Sequence, residues 1–509
     1  MTRQTPVRHA STHVVVVGAG PTGLLLACEL RRSQVQVVVV ERLASPMTES
    51  RASQLSTLTA ELLHERGFDS LLEEAGREPG AHFGGLPFDL AGLDSAYAGN
   101  WKVPQYRTES VLGQRAEMLG ATVLRAHELT GMTELADHVV CEVRDPEGGE
   151  LRIRARYAVG CDGARSTVRR LCGFTSLATE PTKEMLRADV TGIGIRDRRF
   201  ERLERGLAVA GTRDGVTRVM VYAAGQAVTG RTEPPRFPEV IRLWEKVTGE
   251  DISGGNAIWI DSFDNAMGQA CSYRRGRVLL AGDAAHWHMP IGGQALNVGL
   301  QDAVNLGWKL AGSVHGWAAP GLLDSYHAER HPVAARVLRY VAAQEIVLFG
   351  GAEIEPMRAV LSELIGLGQV RRHLARVVSG LDDRYGPPES ALAGRRIANV
   401  ALRTESGSAV TAGLLAGTKP AIVRLTPRAD GARETPALPG GIPVRMVHAT
   451  AENDPFPGIT TILVRPDGYV AWAGNDEDLG LAIGQWFGVP SASGDDGRLE
   501  HDLLARETE

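Results

Sequence analysis

Short runs of β-branched residues alternate with stretches of helical spacing through the first third of the chain. Apolar runs at 13–17, 35–40, 121–124 and 151–160 predict strands, and 22–33, 54–66 and 108–119 carry the periodicity of amphipathic helices. Such alternation is the pattern of βα units around a mainly parallel sheet. From about 183 to 272 the pattern changes: "RADVTGIGIRD", "GLAVAGTRDG", "VTRVMVYAAG" and "NAIWIDSF" predict strands joined by turns, with one helix over 237–247. "RVLLA" at 277–281 returns to a buried parallel-type strand, and beyond a loop Leu306, Leu310 and Val314 fall on one face of a helix. Helical spacing continues to about 378, and "DDRYGPPESALAGRR" then reads as a connector. Strands and turns alternate again over 394–486, before a polar, loose tail from about 490. The expected organisation is α/β: a discontinuous domain of 1–182 and 273–380, a β-rich domain inserted at 183–272, and a smaller α/β domain at 394–509. No internal repeat is visible.

A chain of 509 residues is too long for one core, which agrees with two or three domains. Its 43% apolar and 23% charged residues are those of an ordinary globular protein, and a formal net charge of -6 offers no basic footprint for nucleic acid. The five cysteines (Cys28, Cys141, Cys161, Cys172, Cys271) are scattered, odd in number and without a Cys-x-x-Cys pair, which fits buried thiols in a reducing compartment. "MTRQTPVRHAST" at the start lacks the apolar core of a secretory signal, and no stretch approaches the ~20 apolar residues of a membrane helix. A cytoplasmic protein with no membrane partner is expected.

Candidate chemistry begins at "HVVVVGAGPTGLLLACEL", residues 13–30. Gly18-Ala19-Gly20-Pro21-Thr22-Gly23 follows a predicted strand and opens a predicted helix, which is the context a dinucleotide fingerprint requires. The first glycine makes the tight turn, the second admits a pyrophosphate to the backbone, and the third lets helix and strand pack closely. The phosphates then sit on free N–H groups at a helix N-terminus. A glycine-rich turn alone is the plainer reading, but Glu41 ends the second strand 18 residues beyond Gly23, where a carboxylate can accept ribose hydroxyls. The same charge disfavours a 2′-phosphate and hence NADP at this site, leaving NAD and FAD.

Two distant segments extend the picture. "YAVGCDGARSTVRR", 157–170, is a strand ending in Asp162-Gly163 with Ser166 as a helix cap; "RVLLAGDAAHWHMPIGGQALNVGLQDAVNLGWKLAG", 277–312, is a strand running into Gly282-Asp283, a glycine-bearing loop and a helix. With all three motifs in this order the chain resembles the class A, single-component FAD-dependent aromatic hydroxylases of the p-hydroxybenzoate hydroxylase fold. The resemblance covers essentially the whole chain, and "LVRPDGYVAW" looks like the thioredoxin-like appendage of larger members, here without a Cys-x-x-Cys. It implies a Rossmann-like FAD-binding domain, a β-sheet substrate domain inserted in it, and a C-terminal thioredoxin-like domain. "HFGGLPFDLAGLDSAYAGNWKVPQYRTESVL" is more similar to members that oxidise aromatic polyketides than to those acting on single-ring phenols.

The resemblance also implies residue roles. Glu41, with Arg42 beside it, would bind the adenosine ribose; Arg51 would lie near the pyrophosphate, where a guanidinium fork suits a phosphate. Gln105 would face the flavin, Asp162 would help couple the nicotinamide and flavin sites, and Asp283 would bond the ribityl chain. The backbone of Leu296 and Asn297 would approach the flavin edge that becomes negative on reduction, with Pro290, Gly292 and Gly293 keeping the loop close. Ala295 departs from the pattern, standing where the family usually has a third glycine. His286 and His288 flank Trp287 with no carboxylate or cysteine companion expected nearby, so packing beside the flavin is expected rather than a metal.

The implied chemistry belongs to the cofactor. NADH or NADPH, as a transient co-substrate, reduces FAD; O₂ adds at flavin C4a, and the hydroperoxide passes OH to an electron-rich polycyclic aromatic ring. Baeyer–Villiger oxidation, epoxidation or a flavin-binding reductase without oxygen transfer are the alternatives. No side chain is singled out as a catalytic base. The substrate chamber is expected between the 183–272 insert and the flavin, lined partly by 83–104.

Overall fold

The computed structural model describes residues 7–49, 52–386, 392–397, 400–404, 407–410, 419–425, 444–451 and 456–488. The polar tail from about 490 lies outside them, as does Arg51.

The first sheet is built on β1 (Arg8–Val17), β2 (Val37–Val40), β3 (Thr122–Leu124), β4 (Glu150–Gly160) and β5 (Val278–Leu280). In space β5, β4, β1, β2 and β3 lie side by side, all parallel, with Val14–Val17 between Val37–Val40 and Tyr157–Gly160. Val14, Val15 and Val16 are wholly buried, as strands covered on both faces require. β1 starts five residues before its apolar run, because the polar segment Arg8–Thr12 ladders onto Leu151–Ala155. An antiparallel meander, Glu128–Glu134 and Val139–Arg144, extends the sheet beside β4 and was not part of the parallel pattern expected.

The predicted helices are observed at Pro21–Arg32 (α1), Thr57–Glu65 and Gln105–Met118, the last starting directly after Pro104. Beyond β5 come α2 (Ala295–His315) and α3 (Ser325–Phe349), then helices Glu355–Gly366 and Gly368–Ser379.

The region from 184 to 264 forms a five-stranded antiparallel sheet in the order Arg198–Leu203, Gly206–Arg213, Val216–Ala223, Glu184–Thr191, Asn256–Asp264. Helix Phe237–Thr248 covers one face with Val240, Leu243, Trp244 and Val247. Strand "RRFERL" escapes a hydrophobicity reading because its charges pair across the edge, as in Arg198 with Glu250 at 2.7 Å.

The C-terminal sheet has two parallel strands, Ala421–Arg424 and Arg445–Ala451, followed by the antiparallel pair Thr461–Val464 and Val470–Gly474 and a closing helix, Leu479–Trp486. This is the arrangement expected of a thioredoxin-like appendage. It docks on the first body by packing Ile422, Leu463, Ile483 and Phe487 against Trp308 and Leu322. Among the described residues no helix is long and apolar enough to cross a membrane, and all five cysteines are free thiols.

Candidate functional site

The three glycines of the first motif meet three different constraints. Gly18 turns the chain at φ +105, and a Cβ on it would sit 2.5 Å from the carbonyl oxygen of Cys161 on the neighbouring strand. A Cβ on Gly23 would sit 2.0 Å from the carbonyl oxygen of Gly18, so the helix can approach the turn only without one. Gly20 is ordinary extended backbone with nothing within 4 Å of a Cβ, because that side opens into a cleft of about 740 Å³. Pro21 opens α1, whose first turn holds no acidic residue, so its bare N–H groups favour an anion.

Glu41 leaves β2 at the cleft wall and its carboxylate spans the turn: Oε2 accepts from the Ala19 N–H at 2.7 Å and Oε1 from the Leu43 N–H at 2.8 Å. Arg42 is exposed on the same wall. Gln105 lines it too, tied to the segment after Arg51 by two bonds, its Oε1 accepting from the Ala52 N–H at 3.2 Å and its own N–H donating to Ala52 at 2.9 Å.

Asp162 enters from the end of β4. Its Oδ2 accepts from the N–H groups of Thr167 and Val168 at 2.6 and 3.1 Å, and its Oδ1 from the Ser166 hydroxyl at 2.5 Å. Ser166 in turn caps Arg169 N–H at 2.9 Å, as its position predicted. Burial raises the Asp162 pKa despite these bonds, which oppose the shift. Arg169 then ties the second motif to the third: its guanidinium donates to the Ala284 carbonyl at 2.8 Å and lies 4.3 Å over the Trp287 ring.

The third motif hangs on a residue that the motif reading missed. Asp302, wholly buried on α2, accepts from the Gly282 N–H at 3.0 Å, from His286 Nε2 at 2.6 Å and from Arg330 Nε at 2.7 Å. Burial alone would raise its pKa, but the facing His286 and Arg330 prevail and hold it below the ordinary carboxylate value. An aspartate within the apolar run "GLQDAVNLG" was the available signal. The turn it anchors presents Asp283, exposed, to the cleft.

Pro290, Ala295 and Leu296 line the cleft as well, whereas Ala19, Gly23, Gly292, Gly293 and Asn297 are not among its lining residues. Asn297 clamps the loop: its Nδ2 donates to the Gly293 carbonyl at 2.8 Å and its Oδ1 accepts from the Ser56 N–H at 2.8 Å. Gly293 has φ +65, and a Cβ there would meet the Gln54 amide at 2.5 Å. His286 and His288 have separate environments. His286 is buried on Asp302, while His288 lines the cleft, with Nδ1 2.7 Å from the Met289 carbonyl.

The second sheet closes the far wall with Arg187 and Phe263. The Arg187 guanidinium bonds Asp261 at 2.6 Å and lies over the rings of Trp259 and Phe263 at 4.7 and 5.1 Å. Read by alternation, an arginine in "RADVTG" would face solvent, so it too was missed. No residue of 83–104 lines this cleft. Leu86 and Phe88 instead pack with Val347 and Ile365, and Phe83 meets Tyr340 edge-on, because apolar side chains of the long helices offer them burial.

Residues 11–341 match a family model described as an FAD binding domain, and residues 390–490 one described as the C-terminal region of aromatic-ring hydroxylases. A 12-dehydrotetracycline 5-monooxygenase/anhydrotetracycline 6-monooxygenase of Streptomyces rimosus is 37% identical over 501 residues, covering 94% of this chain and 99% of the relative. The crystal structure of an aromatic hydroxylase from angucycline biosynthesis superposes with TM-score 0.88 at 42% identity, covering 94% of this chain and 100% of that one. A dialkyldecalin synthase of Streptomyces rugosporus is 35% identical over 484 residues, with 94% of this chain and 99% of the relative covered. The chain belongs to the FAD-dependent aromatic-ring hydroxylases, and it is a flavoprotein monooxygenase.

Proposed function

We propose that this monooxygenase uses NADH or NADPH and O₂ to hydroxylate a polycyclic aromatic substrate of polyketide type. The observation that carries the reading is convergence: the Gly18–Gly20 turn with Glu41, the Asp162 turn, and the Asp283–Leu296 loop share one cleft with an aromatic wall from a second sheet. The residues suit FAD, since the space left by the missing Gly20 side chain lies at a helix N-terminus and beside an acceptor carboxylate. The relatives' names support the substrate class.

In this reading the α1 N–H groups hold the pyrophosphate with Arg51, Glu41 and Arg42 the adenosine ribose, and Asp283 the ribityl chain. Gln105 would face the flavin, and the N–H groups of Leu296 and Asn297 would serve the ring edge that gains charge on reduction. FAD held there would supply hydride acceptance and O₂ activation, while the chain would orient the substrate against the Arg187–Phe263 wall and exclude water. Asp162 and Arg169 fix the turn between the two halves of the site. The division into 1–182 with 273–380, 183–272 and 394–509 is part of the same proposal, supported by a separate sheet in each. A cytoplasmic setting fits the free thiols.

The test is NAD(P)H oxidation by the FAD-loaded protein across a panel of polycyclic phenols and hydroxyanthraquinones, with isotopically labelled O₂ and product structures by NMR. A phenolic product carrying the label is expected. Label inserted beside a carbonyl would mean Baeyer–Villiger chemistry. A rearranged product of unchanged mass would favour a reaction without oxygen transfer, of the kind the dialkyldecalin synthase relative brings into question.

A further inference from the structure

We propose that the exposed apolar stripe of helix Glu355–Gly366 is the seat of a second copy of this chain, which packs on it antiparallel about a two-fold axis. None of its residues lines the flavin cleft.

The stripe arises because the apolar arc of this helix is wider than the surface beneath it. One side is fixed to the body: Ile365 is buried with Leu86, Phe88 and Val347, Leu361 packs beside it, and Arg358 donates to the Gly84 and Val347 carbonyls at 2.9 and 2.7 Å. Met357, Val360 and Leu364 follow one another at helical spacing on the adjoining side, and they are 54, 54 and 41% exposed. Leu367, at the end of the helix, adds another at 57%. One exposed leucine needs no explanation, whereas four large apolar residues in line mark a surface made to be covered.

Charge identifies what covers it. Glu353 lies exposed just ahead of the stripe, and Arg371 and Arg372 follow it in the first turn of helix Gly368–Ser379. Glu355 is engaged elsewhere, by Arg202 at 2.8 Å. The stripe therefore has an acidic end and a basic end. An antiparallel copy sets each acidic end against its partner's basic end and apolar side chains against each other, which is the self-complementarity an isologous contact requires. A parallel copy would pair like charges, and an anionic lipid surface would be repelled by the exposed Glu353 and Glu363. The helix has 12 residues and is about 18 Å long, so the contact is small. A reversible dimer with a dissociation constant on the order of 10 μM is expected.

Sedimentation velocity of the full-length, FAD-loaded protein from about 1 to about 200 μM, a range that spans this constant, reads the association directly. The mass should move from one chain to two. Val360→Gln with Leu364→Gln, which leaves the charge unaltered, should raise the dissociation constant at least about tenfold without changing the unfolding temperature, because both side chains are exposed. Glu353→Arg alone, and Arg371→Glu with Arg372→Glu alone, should each weaken self-association at least about threefold. Mixed in equal amounts, those two variants should form a heterodimer tighter than either homodimer, since only the antiparallel pair then faces opposite charges at both ends. The proposal is overturned if native protein stays a single chain throughout the range, if the dimer survives the double glutamine variant, or if the mixture is no tighter than its components. Vesicles of phosphatidylcholine and phosphatidylglycerol that sediment with native monomer, but not with the glutamine variant, would assign the stripe to a lipid surface and overturn it equally.

Discussion

Gly18 and Gly20 stand two positions apart and answer to different forces. At Gly18 both the backbone angle and the Cys161 carbonyl exclude a side chain, so the residue belongs to the fold. Gly18→Ala is expected to destabilise the protein by at least about 2 kcal/mol, with or without FAD, in a denaturant titration. At Gly20 neither constraint exists, and only a bound phosphate would meet the added methyl. Gly20→Ala should leave the stability of FAD-free protein within about 0.5 kcal/mol of native and weaken FAD binding at least tenfold, read from the change in flavin fluorescence on titrating FAD into the apoprotein. Equal effects of the two substitutions on apo stability would contradict this division of labour.

The contact of α1 with α2 decides how closely the first and third motifs can approach, and small residues set that distance. A Cβ on Gly307 would lie 2.5 Å from Glu29 Cβ, whose carboxylate faces Arg66 Nε at 3.0 Å in the interior. Helix propensity alone would make Gly307→Ala favourable by about 1 kcal/mol. Overpacking against a buried ion pair opposes it with about 1–3 kcal/mol, so a net loss is expected in thermal unfolding. This level of structure was legible only in part. The apolar runs announced β1, β2 and β4, the helix over 237–247 stood out by its spacing, and glycine motifs marked the turns that meet at the cleft. Partners contributed by distant segments were not visible. Asp302 gains its role only when Arg330 and the Gly282 turn are folded onto it, and Arg187 becomes a cleft residue only because Trp259 and Phe263 on the next strand cover its charge.

For the molecule as a whole, the decisive junction is the buried charge cluster that holds the C-terminal sheet to α2 and α3. Arg465 bonds Glu329 at 2.6 and 2.8 Å and Asp467 at 3.0 and 2.5 Å; Lys309 meets Glu329 at 2.6 Å, and Trp308 Nε1 donates to Asp467 at 3.2 Å. Two cations face two carboxylates, so the cluster is balanced only when complete. Arg465→Leu leaves both carboxylates short of a partner in the interior and should cost about 3–5 kcal/mol. Burial by itself would raise the pKa of Glu329, but Arg465 and Lys309 prevail and hold it down to about 2, against an ordinary value of 4.5. A carboxylate depressed in the folded state contributes stability that is complete above pH 4.5 and lost as pH falls toward about 2. Lys309, lowered to about 8 by burial against the pull of Glu329, changes protonation only in alkali and leaves the acid limb alone. Because α2 also carries Asp302 and the cleft residue Leu296, acid release of the C-terminal sheet should loosen the flavin cleft in the same step. Tryptophan fluorescence, to which Trp308 and Trp486 at the junction contribute among eight tryptophans, and flavin fluorescence should therefore change together in an acid titration of the FAD-loaded protein. Glu329→Gln should flatten the acid limb and lower stability at neutral pH. A tryptophan transition well above the pH of flavin release would show that the C-terminal sheet detaches on its own, and that the cluster joins two bodies without coupling them.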